Sequence, residues 1–189
     1  MEKFFPKDKL LNFGNPVRRD LKISIDLKTI YQSRKFFGLS NSKFTILVIG
    51  GSLGAEPLSQ AVVQNLGQLN SNHIQLIWQT GDVSYNTYQQ YQSDFCSVKR
   101  FINRMDLAYN AADIVISRSG AIAIAEICYL SKASILVPSP YVTDDHQTKN
   151  AQYLFKNKAC LIAKQDRLSV ILMSLIKKMK VDKTRNSIG

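Results

Sequence analysis

A chain of 189 residues with 45% hydrophobic content can build one substantial core, which excludes a disordered protein. Cys96, Cys128 and Cys160 are far apart, odd in number and without a CxxC pair, which argues against zinc and disulfide frameworks and fits a reducing cytosol. The net charge of +11 is uneven: residues 1–43 hold ten Lys/Arg against four acids, residues 44–148 five against eight, and residues 149–189 ten against two.

The N-terminal stretch MEKFFPKDKLLNF has no signal-peptide core, and no apolar run approaches the roughly 20 residues of a spanning helix. In GNPVRRD, Gly14 and Asn15 before Pro16 predict a turn. Residues 26–38 predict a short helix ended by Gly38, and residues 1–43 as a whole read as a lead-in or linker ahead of a domain at 44–189. From there the pattern alternates. Apolar runs at 44–49, 74–78, 98–102, 113–117, 133–137 and 159–163 predict strands. Helical segments lie at 56–69, 84–92, 104–111, 121–131, 145–157 and 167–180. The strand segments are continuously apolar, as expected when both faces are covered. Alternating β and α elements predict an α/β fold with a Rossmann-like, doubly wound parallel sheet.

Ligands of such sheets bind beyond the carboxyl ends of the strands, and the distinctive motifs lie there. IGGSLGA at 49–55 follows the first strand, bringing a backbone of Gly50, Gly51, Ser52 and Gly54 close to something. It is either a tight strand-to-helix turn or a phosphate cradle; it has neither the Lys-Ser/Thr of a P-loop nor GxGxxG spacing. In SRSGAIAIAE, Gly120 opens a helix whose first turn, Ala121 and Ile122, can approach an anion, and Glu126 can accept from sugar hydroxyls or be a solvated acid. In PSPYVTDDHQTKNA, two prolines fix an extended loop, Asp144 or Asp145 can cap the next helix, and His146, Gln147 and Asn150 begin it, His146 and Asn150 on one face. His73 precedes a strand at the far end of the sheet and reads as structural. No DxD or other metal-ligating cluster stands out beyond the Asp144-Asp145-His146 run, and no cofactor is expected. The basic ends suit an anionic membrane surface, an acidic partner or a plain solvated face. No aromatic-interleaved basic motif points to nucleic acid.

GNPVR, GGSLGA, SRSGAIAIAE and DHQTKNA occur in the order and spacing of the C-terminal half of the MurG family, which the chain resembles from about residue 4 to residue 175. That family transfers N-acetylglucosamine from its UDP-sugar to lipid I in peptidoglycan synthesis, using two Rossmann-like domains of which the C-terminal one binds the donor. The resemblance implies a GT-B fold and an inverting, metal-independent hexosyltransferase, located in the cytoplasm and peripheral to the inner face of the membrane. It places Arg18 and Ser52 by the donor phosphates, with Gly51 and Gly54 in their loop. Ile102, by its backbone, reads uracil. Gly120, Ala121 and Ile122 lie near the diphosphate, Glu126 holds the ribose hydroxyls, and Gln147, with Asp145 and His146, faces the N-acetylglucosamine.

The family usually has Thr or Ser where this chain has Ala123. The resemblance also implies that an N-terminal acceptor domain is missing and that the family's final helices are cut short after LIKKMKVDKTRNSIG. No catalytic residue is therefore assigned, and the donor half alone is expected to be inactive, with an unusually apolar face toward an N-terminal acceptor domain or subunit that brings lipid I. Other readings are a non-catalytic remnant or interaction subunit, and the donor subunit of a split glycosyltransferase with another lipid-linked acceptor. A dinucleotide-binding domain is opposed by the absent GxGxxG and by IWQTGD, which puts Gln79 and Thr80 where an acid would end the second strand.

Overall fold

The computed structural model describes residues 14–22 and 26–186, so residues 1–13 and 23–25 of the expected lead-in, and the last three of the chain, lie outside the described residues. Six strands form one sheet: β1 (Phe44–Ile49), β2 (Ile74–Gln79), β3 (Cys96–Lys99), β4 (Ile114–Ser117), β5 (Ser134–Leu136) and β6 (Leu161–Ile162). Every pairing is parallel, in the order β3-β2-β1-β4-β5-β6. The expected doubly wound α/β sheet is what forms. Strand order reverses between β1 and β4, which opens a crevice at their carboxyl ends.

The helices are α1 (Leu27–Phe36), α2 (Glu56–Ser71), α3 (Tyr85–Tyr88), α4 (Met105–Ala111), α5 (Ala121–Tyr129), α6 (His146–Lys156) and α7 (Leu168–Asn186). Alternation along β1 sends Ile46 and Val48 to one face and Leu47 and Ile49 to the other, each meeting its own layer. On the first face, Leu58 and Val62 of α2 and Leu172 and Ile176 of α7 cover the sheet. On the second, Tyr109 of α4, Ile127 of α5 and Leu154 of α6 do so. Burial of each such side chain contributes about 1.5–3 kcal/mol. Among the described residues, no helix is long and apolar enough to cross a membrane.

Helix α1 begins at Asp26, whose carboxylate accepts from the N–H groups of Lys28 and Thr29, and a left-handed Gly38 (φ 72°) follows its end. The helix is tied to the fold by Arg34. The guanidinium reaches the Ala111 carbonyl (3.1 Å), the Asn41 carbonyl (2.7 Å) and the Asp113 carboxylate (2.8 Å).

Three local expectations change. The third strand runs over 96–99 instead of 98–102, because Cys96, Ser97 and Val98 are buried against β2, while Phe101 turns to solvent. The strands are not free of polar groups: Thr45, Gln75, Gln79, Ser97, Ser117 and Ser134 are buried within them. Gln75 is tolerated because its amide accepts from Ser40 N–H (2.9 Å) and donates to the Ser40 carbonyl (2.7 Å) and Thr45 Oγ1 (2.8 Å). Finally, neither aspartate caps α6. Asp144 and Asp145 both take left-handed φ (55° and 50°), which turns their side chains from the helix N–H groups.

Candidate functional site

The loops that follow β1 to β5 gather at the carboxyl edge of the sheet and, with the first two turns of α5 and the first turn of α6, hold all the sequence-predicted site residues except Arg18, which reaches in from the GNPVR segment. They fall into three groups joined by buried polar side chains.

The first group is the glycine-rich loop. Gly54 (φ 87°) lies against the turn after β2, where Gly81 (φ 83°) comes equally close. A Cβ on Gly81 would fall on the backbone nitrogen of Gly54, and one on Gly54 on the Thr80 carbonyl oxygen, so both positions require glycine. The loop's carbonyls face that turn: Gly51 C=O accepts from Gln79 Nε2 (3.0 Å) and Ser52 C=O from Asp82 N–H (3.1 Å). The N–H groups of Ser52 and Leu53 make no protein hydrogen bond among the described residues, and both residues are exposed. Gln79 also reaches the loop after β3, where its Oε1 accepts from Ile102 N–H (2.9 Å). Ile102 is buried, and with its N–H engaged, its carbonyl is the backbone group left to a base.

The second group surrounds the start of α5. Gly120 occupies the N-cap with no side-chain cap, so the first N–H groups of the helix, at Ala121, Ile122 and Ala123, face the edge uncapped. One turn on, Glu126 is only 2% exposed. Its Oε2 accepts from the buried Tyr109 hydroxyl (3.0 Å); burial, joined by the charge of Glu126 and this bond, raises the tyrosine pKa well above its ordinary value. Its Oε1 is buried without a hydrogen bond and lies 3.4 Å from Arg18 Nε. The Arg18 side chain is 42% exposed and covers the carboxylate from the solvent side.

The third group is the β5–α6 loop. Ser119 Oγ donates to the Gln147 carbonyl (2.9 Å), and Asn150 Nδ2 donates to the Ser119 carbonyl (3.2 Å). Gln147 Oε1 accepts from Ser139 N–H (3.0 Å), and its amide NH2 makes no protein hydrogen bond among the described residues. His146 is exposed and its Nδ1 lies 2.8 Å from the Thr143 carbonyl, so Nδ1 carries the proton and Nε2 is left to solvent. His146 and Asn150 therefore do not act together: Asn150 braces the Ser119 turn. Arg118, within SRSG, is turned inward onto the carbonyls of Val137 (3.1 Å) and Pro138 (3.2 Å) and onto Gln165 (2.9 Å), and burial lowers its pKa. His73 lies at the opposite, amino edge beside Asp113.

The model of the family described as "Glycosyltransferase family 28 C-terminal domain" matches residues 45–187. The chain belongs to that family. It is 47% identical over 173 residues to the UDP-N-acetylglucosamine--N-acetylmuramyl-(pentapeptide) pyrophosphoryl-undecaprenol N-acetylglucosamine transferase of Parabacteroides distasonis, covering 88% of this chain and 46% of the relative. The enzyme of that name from Flavobacterium psychrophilum is 41% identical over 186 residues, covering 98% and 50%. Among solved structures, Acinetobacter baumannii MurG superposes with a TM-score of 0.65 at 27% identity, over 96% of this chain and 54% of that one. The chain thus spans about half the length of the curated relatives it matches.

Family 28 membership fixes the kind of domain, and the geometry adds two residues that sequence reading missed. Gln79 enters the sequence reading only as the residue standing where a dinucleotide-binding fold has an acid, and Tyr109 does not enter it. The signal for both was position: each is a hydrogen-bonding residue at a buried site beside the crevice.

Proposed function

We propose that the chain is the donor-binding half of a MurG-like glycosyltransferase. It binds UDP-N-acetylglucosamine and needs an N-terminal acceptor domain or subunit, carrying lipid I, for turnover. The observation that carries this reading is Glu126, a buried carboxylate with one oxygen held by Tyr109 and the other without a hydrogen bond at the crevice. In the free chain that second oxygen is met by the ion pair with the partly exposed Arg18 (3.4 Å), and the vicinal hydroxyls of a ribose are donors able to take its place.

The rest of the edge follows in order. The diphosphate lies over the N–H groups of Ser52 and Leu53 and the uncapped start of α5 at Ala121 and Ile122. Arg18 leaves Glu126 for the phosphate as the ribose hydroxyls take its place, so the two partners are exchanged within one site. The Ile102 carbonyl accepts from uracil N3–H. Gln147, through its amide NH2, and His146, through Nε2, face the sugar. During transfer the glycosidic oxygen leaves with UDP and negative charge grows on the diphosphate. Arg18 and the loop N–H groups are preplaced to stabilise it. Ala123 leaves the α5 start without a hydroxyl, which puts more of this task on Arg18 and the backbone.

The acceptor side is not built from this chain. Leu53, Val83, Phe101 and Tyr141 in the loops of the same edge, and Ile122 in the first turn of α5, are large exposed apolar side chains, which supports a second domain meeting them. The surplus of Lys and Arg in residues 149–189 supports contact with an anionic membrane surface, where a lipid-linked acceptor resides.

Turnover tests the division of labour. The purified chain with UDP-N-acetylglucosamine and a lipid I analogue is expected to form no product, and addition of an N-terminal MurG half is expected to restore transfer. Holding donor and acceptor together contributes about 7–11 kcal/mol to lowering such a barrier. Product formation by the chain alone would place the acceptor base within it, His146 first.

A further inference from the structure

The turn after β2, QTGD at 79–82, is assigned no task by the donor-site reading, yet it touches both of the loops that the reading uses. Its central residue is Gln79, the last of β2 and 5% exposed. Both ends of this amide are committed across chain segments: Nε2 to the Gly51 carbonyl at 3.0 Å and Oε1 to the Ile102 N–H at 2.9 Å. The neighbouring backbone continues the same pattern, with Asp82 N–H on the Ser52 carbonyl (3.1 Å) and Gly81 N–H on the Arg100 carbonyl (3.1 Å).

These bonds set the direction of peptide dipoles. In a planar trans peptide the C=O of one residue and the N–H of the next point opposite ways. Holding Gly51 C=O and Ser52 C=O toward the turn therefore aims the N–H groups of Ser52 and Leu53 away from it, on the exposed side of the loop. Holding Ile102 N–H inward removes a donor from the base loop and leaves an acceptor, the Ile102 carbonyl. An acceptor there suits uracil, whose N3 carries a proton, and not cytosine, whose N3 does not.

We infer that Gln79 is a positioning residue of the nucleotide site, one buried amide that orients the phosphate loop and the base loop together and so couples diphosphate binding to the choice of uracil. The inference rests on the donor-site reading above. Gln75 provides the internal control: it is a buried glutamine of the same strand, hydrogen-bonded at both ends of its amide, at the opposite edge.

The test is calorimetric titration of the full chain with UDP and CDP, in the wild type and in Gln79→Met, Gln79→Glu and Gln75→Met. Gln79→Met is expected to weaken UDP binding roughly tenfold or more and to narrow the UDP-to-CDP preference, whereas Gln75→Met lowers the unfolding midpoint and leaves both affinities unchanged. Gln79→Glu supplies a second readout that does not depend on the methionine variant folding. Ionised, its carboxylate accepts from Ile102 but repels the Gly51 carbonyl; protonated, it can donate to Gly51 as the amide does. Its UDP affinity relative to wild type is expected to be low at pH 8 and to recover toward pH 5, since burial raises a carboxyl pKa. UDP binding by Gln79→Met equal to that of Gln75→Met, or a Gln79→Glu affinity ratio flat with pH, overturns the role of Gln79. A wild-type chain that binds no UDP overturns the donor-site reading itself, a distinguishable result.

Discussion

The two edges of the sheet use the same kinds of side chain in opposite ways. At the amino edge, Arg34 is 8% exposed and its guanidinium bonds two carbonyls and a carboxylate, while Gln75 joins Ser40 to Thr45. At the carboxyl edge, Glu126 is more deeply buried, yet one of its oxygens has no hydrogen bond, the Ser52 and Leu53 N–H groups have no protein partner among the described residues, and α5 starts uncapped. A fold with no ligand to bind would gain by satisfying these groups. A carboxylate oxygen, two backbone N–H groups and a helix start left open together around one crevice mark that edge as the place where stability is traded for binding.

The largest expected effect lies at the amino edge and falls on stability. Arg34→Met removes the guanidinium from Asp113, which keeps its bond from Thr45 N–H, and leaves the Ala111 and Asn41 carbonyls short of a donor, so a loss of about 3 kcal/mol is expected in urea unfolding. The chain that remains folded should keep its UDP affinity; a matching loss of affinity would mean that the two edges are not separate. Glu126→Ala sharpens the contrast from the other side. Affinity for UDP should fall by about 1–3 kcal/mol, with a much smaller loss for 2′,3′-dideoxy-UDP, which lacks the hydroxyls in question. Gly81→Ala is predicted to cost at least about 1 kcal/mol of stability, because the residue has φ 83° and its Cβ would meet the Gly54 backbone. It should weaken UDP as well, since the phosphate loop must move to make room. Tyr109→Phe keeps the packing and removes only the donor to Glu126 Oε2, so a loss in UDP affinity of about 0.5–1.5 kcal/mol is expected, smaller than that of Glu126→Ala.

The smallest effect concerns acid. Arg104 Nη2 lies 2.7 Å from Asp106 Oδ2 at the start of α4 and holds its carboxyl below the usual 3.8. With a folded pKa below the unfolded one, the pair's contribution is present above about pH 3.8 and is lost as pH falls through the lower folded value. Urea midpoints of wild type and Asp106→Asn should therefore differ slightly at pH 6 and converge toward pH 2. Divergence on acidification would contradict the pairing.

The fold was legible because its signal is repeated. Runs such as FTILVI and IQLIW are too apolar for a one-sided sheet, and the helices between them force a parallel one. Three of the four motifs were legible as positions, since GGSLGA, SRSGAIAIAE and DHQTKNA each come after a strand, whereas GNPVR precedes the first. What could not be read was direction. Asp144 and Asp145 look like caps in sequence, but left-handed backbone at both turns them aside. Arg118, to which the sequence assigns no role, holds the Val137 and Pro138 carbonyls. Gln79 looks like a missing ribose-binding acid at the end of the second strand, whereas its use is to join two loops that lie 28 and 23 residues away in sequence. Such long-range pairings depend on the strand order, which a linear reading does not supply. The shift of β3 has the same origin, because pairing with β2 selects Cys96–Lys99 over the more apolar residues that follow.

The central claim, that the open polar groups of the carboxyl edge are a UDP-sugar donor site, is tested most directly by titrating the purified chain with UDP-N-acetylglucosamine in the presence of EDTA, with NAD as the comparator. Saturable one-to-one binding of the UDP-sugar, weakened in Glu126→Ala and in Arg18→Ala, with no heat from NAD, is the predicted result. Binding of NAD in preference, or of the UDP-sugar with no dependence on Glu126, would contradict the account.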